Sequence, residues 1–402
     1  MTDRSPRSDA ATLRALIERV ALEAGAGAVR IAPAFADAAT RERMEASFAR
    51  GDLATWGFGG EYAGKAADPR AVLDAARSVI CIAVPYAVPE PPANGELRGR
   101  VSNYAWSPDY HPRVRAMLQT IADAIDHAAG ASVTAIACDT APLAERAFAA
   151  SAGLGWVGKH TNLISPELGS FIFLGEVVTS LELAPDAPLR KTCGSCSACV
   201  SACPTGALRG DYSIDATLCI SDLTQRTDGI PRALRPLIGT WIWGCDLCQV
   251  ACPPTQLARP TVDRINAPRS SESAQPALVA LLALKPEEFE RTYRATAMGW
   301  RGHAVLRRNA AVALGNALDR SSVGALVEAL RRDRHPMVRG HAAWALGRIG
   351  SPQAVGALRA RDRSEQNIKV REEIRVALAD SRTSCAPSAL ARPCASEPTS
   401  EI

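Results

Sequence analysis

The stretch Cys193-Gly-Ser-Cys196-Ser-Ala-Cys199-Val-Ser-Ala-Cys203-Pro204 spaces four cysteines by two, two and three residues and closes on a proline. That spacing ligates [4Fe–4S] clusters: three thiolates cap three corners of one cubane, and the fourth cysteine points to a second. Pro204 stops the backbone from continuing as helix and removes a competing N–H. Downstream, Cys245-Asp-Leu-Cys248-Gln-Val-Ala-Cys252-Pro253 repeats the last two gaps and the proline but is one cysteine short. The lone Cys219 between the runs fills that vacancy. Eight thiolates meet the requirement of two cubanes, and the crossed pattern of two-cluster ferredoxins divides them. Cys193, Cys196, Cys199 and Cys252 are expected to hold one cluster, and Cys203, Cys219, Cys245 and Cys248 the other. Zinc also accepts CxxC pairs, but its sites rarely use three cysteines at successive gaps of two with a Cys-Pro ending.

Around this insert, 402 residues suffice for two or three domains and a substantial core. With 47% hydrophobic and 22% charged residues, the composition is that of an ordinary globular protein. No apolar run approaches the ~18 residues of a membrane span. Met1 to Ala10 is polar and lacks the apolar stretch of a secretory signal. Thiols at cluster spacing belong in a reducing compartment, so the expected location is the cytoplasm, with no membrane association.

Upstream, Leu13 to Ala24 reads as an amphipathic helix. Ser78 to Pro85, Ser132 to Cys138 and Ser170 to Val178 read as strands, with helices over His111 to Ala129 and Pro142 to Ala152. Cys81 and Cys138 fall inside strand-like runs and behave there as small hydrophobes. Strands alternating with helices indicate an α/β domain over residues 1–186. A ferredoxin-type two-cluster domain follows over 187–262, then a proline-containing connector over 263–300.

The last third repeats itself. Val338-Arg-Gly-His-Ala-Ala-Trp-Ala-Leu-Gly347 lies 32 residues after Leu306-Arg-Arg-Asn-Ala-Ala-Val-Ala-Leu-Gly315, and a third copy starts at Val370-Arg371. Two helices per unit, with small alanines where helices meet, give HEAT-like repeats over 301–380. The fold class is therefore multidomain, α/β followed by all-α. Residues 381–402 are Ser/Pro/Ala-rich and expected to be disordered; Cys385 and Cys394 within them have no spacing partner. Net charge is only +4, but Arg301 to Asp380 holds fifteen basic against eight acidic residues, an excess of +7 at one end of the chain. Arginines at the same position of stacked units suggest a track for a phosphate backbone, with Arg301, Arg308 and Arg339 as its contacts.

From Asp68 to Leu378 the chain resembles the epoxyqueuosine reductases. The resemblance rests on Asp68-Pro-Arg70, Tyr104-Ala-Trp-Ser-Pro-Asp-Tyr-His111 and Asp139-Thr-Ala-Pro-Leu-Ala-Glu-Arg146. It continues through Ala152-Gly-Leu-Gly-Trp-Val-Gly-Lys159, Ser165-Pro-Glu-Leu-Gly-Ser170, Cys219-Ile-Ser-Asp-Leu-Thr-Gln225, Arg235-Pro-Leu-Ile-Gly239 and Trp300-Arg-Gly302. It implies base-off cobalamin in the α/β domain beside the clusters, and reduction of the epoxide of epoxyqueuosine on tRNA to queuosine. It also implies a monomer that draws electrons from a flavodoxin or ferredoxin. Asp139 matches the family's acid, and burial against the corrin would keep its carboxyl protonated; without the resemblance, Asp139 would be read as a helix cap. Cobalamin contacts are implied for Ser102, Asp109, Tyr110, Asp139, Leu163, Leu174, Ser221, Cys245 and Asp246, with His111 beside them.

The chain departs from the family pattern in three places. Trp56-Gly-Phe-Gly-Gly-Glu-Tyr62 replaces a segment more like Glu-Met-Asp-Tyr. Ala66 stands where relatives often carry a basic residue, with Lys65 the nearest substitute, and Pro254 replaces a common Trp-Asn or Leu-Asn start. Two other functions compete. A corrinoid reductase of small molecules, like the reductive dehalogenases, would lack the repeats and commonly carries a twin-arginine signal. A pure electron-transfer or scaffold protein would not need the Asp139 segment.

Overall fold

The structure, a computed structural model, describes residues 10–383 except 54–55, 93–96, 259–266 and 269. Its first half is built on four strands: β1 (Ala28–Pro33), β2 (Ser78–Pro85), β3 (Thr134–Ala137) and β4 (Ile172–Thr179). They lie in the order β1-β2-β4-β3. The unbroken apolar run of β2 follows from burial on both faces. Ile80 and Ile82 pack with Leu13, Ile17, Leu118 and Ile121, from helices α1 (Ala10–Glu23) and α2 (Tyr110–Ala129). The alternate residues Val79, Cys81 and Ala83 pack on the other face with Phe148 and Ala149 of α3 (Glu145–Ser151).

All three strand pairings are antiparallel. Alternation of strands and helices shows that a sheet is covered, but not which way its strands run. The sequence reading also misses β1, whose short run contains Arg30 and ends in Pro33. Proline is tolerated there because β1 is an edge strand.

The cluster segment and the repeats share a second core, in which Trp241, Ile242 and Trp243 pack with Leu306, Ala310, Leu314 and Trp344. Arg100–Val101 pairs in parallel with Trp241–Trp243, so Val101 and Trp106 of the first segment belong to this core too. So do Leu278, Leu281 and Phe289, where the sequence suggests a connector. These packing boundaries cut across the divisions read from composition.

The repeats are two helix pairs and a final helix: α4 (His303–Ala317), α5 (Val323–Arg332), α6 (Pro336–Ile349), α7 (Pro352–Asp362) and α8 (Ile368–Thr383). The recurring glycine marks the helix crossings. A Cβ on Gly315 would lie 2.7 Å from the Trp344 ring, and one on Gly347 would lie 2.7 Å from the Ala377 Cβ. Ser381 to Thr383 continue α8, and the rest of the expected tail lies outside the described residues. Among the described residues no helix is long and apolar enough to cross a membrane.

Candidate functional site

The eight spaced cysteines gather in two groups. Burial first, then the charges of Cys193 and Cys252, push the Cys199 thiol up. Cys252 is raised by burial and by Cys193 and Cys196. In the second group, burial and the charges of Cys219 and Cys203 push Cys245 up to about 12. Cys248 is raised by burial, then by Cys245 and Cys219. The charge of Cys199 in the first group also reaches Cys248 in the second. Among the described residues no three His, Cys, Asp or Glu side chains converge on one ion-sized point; a cubane does not ask for this, since each thiolate binds a different iron. Cys196 is exposed, whereas Cys245 and Cys248 back onto the sheet domain through neighbouring Gln249. The Gln249 amide donates to the Ser170 carbonyl at 2.9 Å.

Two cavities meet beside this second group. The inner one, about 350 Å³, is walled by Tyr86, Leu163, Leu174, Phe173, Ser170 and Gln249. The outer one, about 860 Å³, is walled by Trp56, Arg115, Gln225, Arg294, Thr296 and Trp300. Tyr104, Tyr110 and Asp139 line both.

Asp139 is set at this junction by local backbone geometry. β3 ends at Ala137, and the Thr140 N–H folds back to the Cys138 carbonyl at 2.6 Å. Asp139 itself sits at φ +52°, a left-handed conformation that costs of order 1 kcal/mol in a non-glycine residue. Its side chain does not cap α3, whose N-cap is Ala144, and this removes the capping alternative. The Asp139 backbone N–H instead donates to Glu145 Oε1. Its carboxylate accepts from His111 Nε2 at 2.9 Å, while His111 Nδ1 bonds Asp109 Oδ1 at 2.6 Å. Asp109 N-caps α2, accepting the His111 N–H, so one residue both starts the helix and orients the imidazole.

The two carboxylates hold the His111 cation firmly. Its pKa rises to about 9 through the hydrogen bond to Asp109 first and that to Asp139 second, against burial. The Asp139 side chain is 53% exposed. The burial expected to keep it protonated is therefore absent from this conformation. Behind the loop lie two carboxyls that the sequence reading overlooks. Burial, reinforced by the charge of Asp139, raises Glu145 to about 7. Burial and Glu145 raise Glu176 far above the carboxylate range. A lone Glu inside the apolar run of β4 was the available signal for Glu176.

The other expected contacts are placed as follows. Leu163 and Leu174 line the inner cavity, and Tyr110 lines both. Ser102 Oγ donates to Asp246, which also accepts the Asn103 N–H at 2.8 Å; burial raises the Asp246 carboxyl to about 6. Gly244, at φ +66°, passes so close to Ser102 that a Cβ would lie 2.5 Å from the serine Cβ. Ser102, Cys245 and Asp246 are thereby brought together. Ser221 is engaged by the Gln225 amide at 3.1 Å. Lys65 pairs with Glu61 at 2.7 Å and is not among the cavity residues.

A double-cluster [4Fe–4S] binding domain matches residues 192–255, the epoxyqueuosine reductase QueG model matches 67–140 and HEAT repeats match 301–379. A Lactococcus garvieae epoxyqueuosine reductase is 38% identical over 282 residues, 69% of this chain and 80% of the relative. The chain belongs to the epoxyqueuosine reductase family. A Salmonella typhimurium epoxyqueuosine reductase is 41% identical over 239 residues, 59% of this chain and 62% of its own. A crystal structure of epoxyqueuosine reductase with an epoxyqueuosine-modified tRNA-Tyr stem loop superposes with a TM-score of 0.87 at 30% identity, covering 93% of this chain and 100% of that one. The Bacillus subtilis epoxyqueuosine reductase, with its catalytic aspartate loop swung out of the active site, superposes with a TM-score of 0.86 at 30% identity over 92% of this chain and 100% of that one.

Within this epoxyqueuosine reductase fold, two of the three arginines expected to meet RNA are turned inward. Arg308 is fully buried. It donates to the carbonyls of Leu223, Thr224, Arg226 and Asp228 and to Asn309 Oδ1, capping the helix Ile220–Gln225 that Cys219 begins. Arg339 is bound to Glu365 at 2.8 Å with both side chains nearly buried. The equivalent Arg307 pairs with Asp333 in the same way, so the repeated arginine is an internal tie between units. Stacked repeats do place one position on one face, but that face is an interhelical seam. Of the three, Arg301 lies beside the cleft residues Trp300 and Trp56, its guanidinium 3.6 Å from the Trp300 ring centre.

Proposed function

We propose that this chain reduces the epoxide of epoxyqueuosine in the anticodon loop of tRNA to the cyclopentene of queuosine, with proton delivery at Asp139. The observation that carries this reading is the position of Asp139 where the two cavities meet, bonded to a cationic His111. Converting the epoxide to an alkene takes two electrons and two protons, and the oxygen leaves as water. The inner cavity suits the face of a corrin: Leu163, Ile172, Phe173 and Leu174 are apolar, and no imidazole is among its walls. Base-off cobalamin would be held there by these residues, by Tyr110 and by the Ser102–Asp246 pair. Bound in that place, it would supply low-potential reducing chemistry next to Asp139.

The chain's own residues supply position and one of the two protons, the second coming from solvent. His111 holds a proton against the Asp139 carboxylate, and Asp139 passes it to the departing oxygen from the wall shared by both cavities. A ligand filling the two cavities takes Asp139 out of water, which favours its protonated form at that moment. Cys193, Cys196, Cys199 and Cys252 form the ligand set nearer the surface, where a flavodoxin or ferredoxin can deliver electrons. Cys203, Cys219, Cys245 and Cys248 form the inner set beside the cavity. Arg301 contacts the RNA at the outer cleft, in keeping with the stem loop bound by the relative, and the setting is the cytoplasm.

Deletion of the gene tests the reading. tRNA nucleosides from the deleted strain should carry epoxyqueuosine in place of queuosine, and the wild-type gene should restore queuosine. Unchanged queuosine in the deleted strain would sink the assignment.

Two further outcomes are expected. Cys219→Ala should lower iron from about eight to about four per anaerobically prepared chain, since one ligand set is broken; a full complement of iron would refute the grouping. For His111 the folded pKa is raised from 6.5 to about 9. The stability from this pair is therefore complete below pH ~6.5 and lost as pH rises through ~9. His111→Gln should flatten the decline of Tm across that window, and an unchanged decline would show that the His111 cation does not contribute.

A further inference from the structure

The rim of the outer cleft carries a row of aromatic rings that the proton chemistry does not use. Trp56 stacks on Trp300 with centroids 5.9 Å apart and lies parallel to Phe58 at 6.5 Å, with 3° between planes. Phe58 stacks in turn on Tyr62 at 4.3 Å. Gly57, at φ +64°, makes the turn that brings the rings of Trp56 and Phe58 to one side. Trp56, Phe58 and Trp300 are 37%, 41% and 51% exposed. Large aromatics usually bury their faces, and a contiguous exposed patch of them marks an interaction surface.

The row is held in place rather than left loose. The Trp56 indole N–H donates to Asp222 Oδ1 at 2.8 Å, which fixes the ring by its edge while more than a third of its surface stays exposed. Positive charge accompanies the rings. The Arg301 guanidinium lies 3.6 Å from the Trp300 centroid and 5.3 Å from that of Trp56, and its Nε is buried with no hydrogen-bond partner among the described residues. Arg115 and Arg294 line the same cleft. Arg115 is held by Thr140 Oγ1 and Arg294 by the Gly299 carbonyl, so Arg301 is the cation left to meet a ligand. Flat π faces beside such a cation are the combination that binds single-stranded nucleic acid, the rings taking bases and the cation taking phosphate.

We propose that Trp56, Phe58 and Trp300 form a stacking step for an unpaired nucleotide next to the reacting base, whose phosphate is met by Arg301. This rests on the reading that the chain acts on a tRNA loop, and it adds where that loop is gripped. Trp56 and Phe58 belong to the segment that departs from the family pattern, while Trp300 and Arg301 lie in a stretch that follows it. A groove for a protein segment is the competing use of such a patch. The Arg301 Nε with no hydrogen-bond partner among the described residues and the shared wall with Asp139 favour RNA.

The test uses the reconstituted holoenzyme and an anticodon stem loop carrying epoxyqueuosine, together with loops made abasic at each neighbour of the modified position in turn. Trp56→Ala should bind the intact loop roughly 5- to 150-fold more weakly, the range of one lost base stack. The slope of log affinity against log salt should stay as in wild type, because no phosphate contact is removed. Trp56→Phe should recover most of the affinity, which a folding defect would not allow. Wild type should lose a similar factor on one abasic loop, and Trp56→Ala should lose nothing further on it. Wild-type affinity for the intact loop in Trp56→Ala, or an equal abasic loss in both proteins, would overturn the platform. If wild type binds and reduces the loop in that case, only the platform fails. If wild type neither binds nor reduces it, the tRNA reading fails as well.

Discussion

Asp139→Asn is expected to keep both clusters and bound cobalamin while lowering epoxide reduction roughly 10²–10⁴-fold, the usual range for a positioned acid. The substitution preserves shape and can still accept from His111, but the amide has no acidic proton to give to the departing oxygen. Because α3 is capped elsewhere and the Asp139–Glu145 bond uses the backbone N–H, the fold should not suffer. Iron content, corrin absorbance and melting temperature should match wild type. Near-normal turnover in this variant would remove Asp139 from the chemistry.

Arg308→Ala is expected to act on the fold rather than on RNA. It removes a buried guanidinium that five acceptors share, and breaking a buried charged network of this kind costs about 3–5 kcal/mol. That is a large part of the ~5–15 kcal/mol by which a domain is stable. Four of the acceptors lie in the last turn of the helix that Cys219 begins or just beyond it, so iron should also be lost from the inner cluster. Denaturant unfolding and iron analysis together read the effect. A stable variant with full iron but a shallower salt dependence of RNA binding would return Arg308 to the surface role that its sequence context suggests.

These two residues show what a sequence can and cannot disclose. Cysteine spacing reports cluster ligation because each thiolate must reach a corner of a rigid body, so distance along the chain stands for distance in space. The 32-residue period reports the repeats because Gly315 and Gly347 mark successive helix crossings. Charge is different. Arg307, Arg308 and Arg339 read as a basic face, yet each is matched by carbonyls or by a carboxylate about one unit away, Asp333 or Glu365. Composition records the charge and not the direction in which the side chain points.

Asp139 was legible only through resemblance to the family. Its left-handed backbone, its exposure and its bond to His111 are tertiary facts with no local signature. The antiparallel order of the sheet escaped for a similar reason: burial on both faces makes parallel and antiparallel strands look alike in sequence. Glu145 and Glu176 were visible as residues but not as neighbours, since 31 positions separate them in the chain and only the sheet brings them within reach of each other's charge.

The most direct test of the account is a single-turnover reaction. Reconstituted protein carrying two clusters and cobalamin is mixed under anaerobic conditions with a low-potential reductant and epoxyqueuosine-containing tRNA, and the nucleosides are analysed by mass spectrometry. Conversion of epoxyqueuosine to queuosine with loss of one oxygen is expected, and with Asp139→Asn the same conversion slowed roughly 10²–10⁴-fold. Epoxyqueuosine left unchanged by a wild-type protein whose clusters and cobalamin are intact would contradict it.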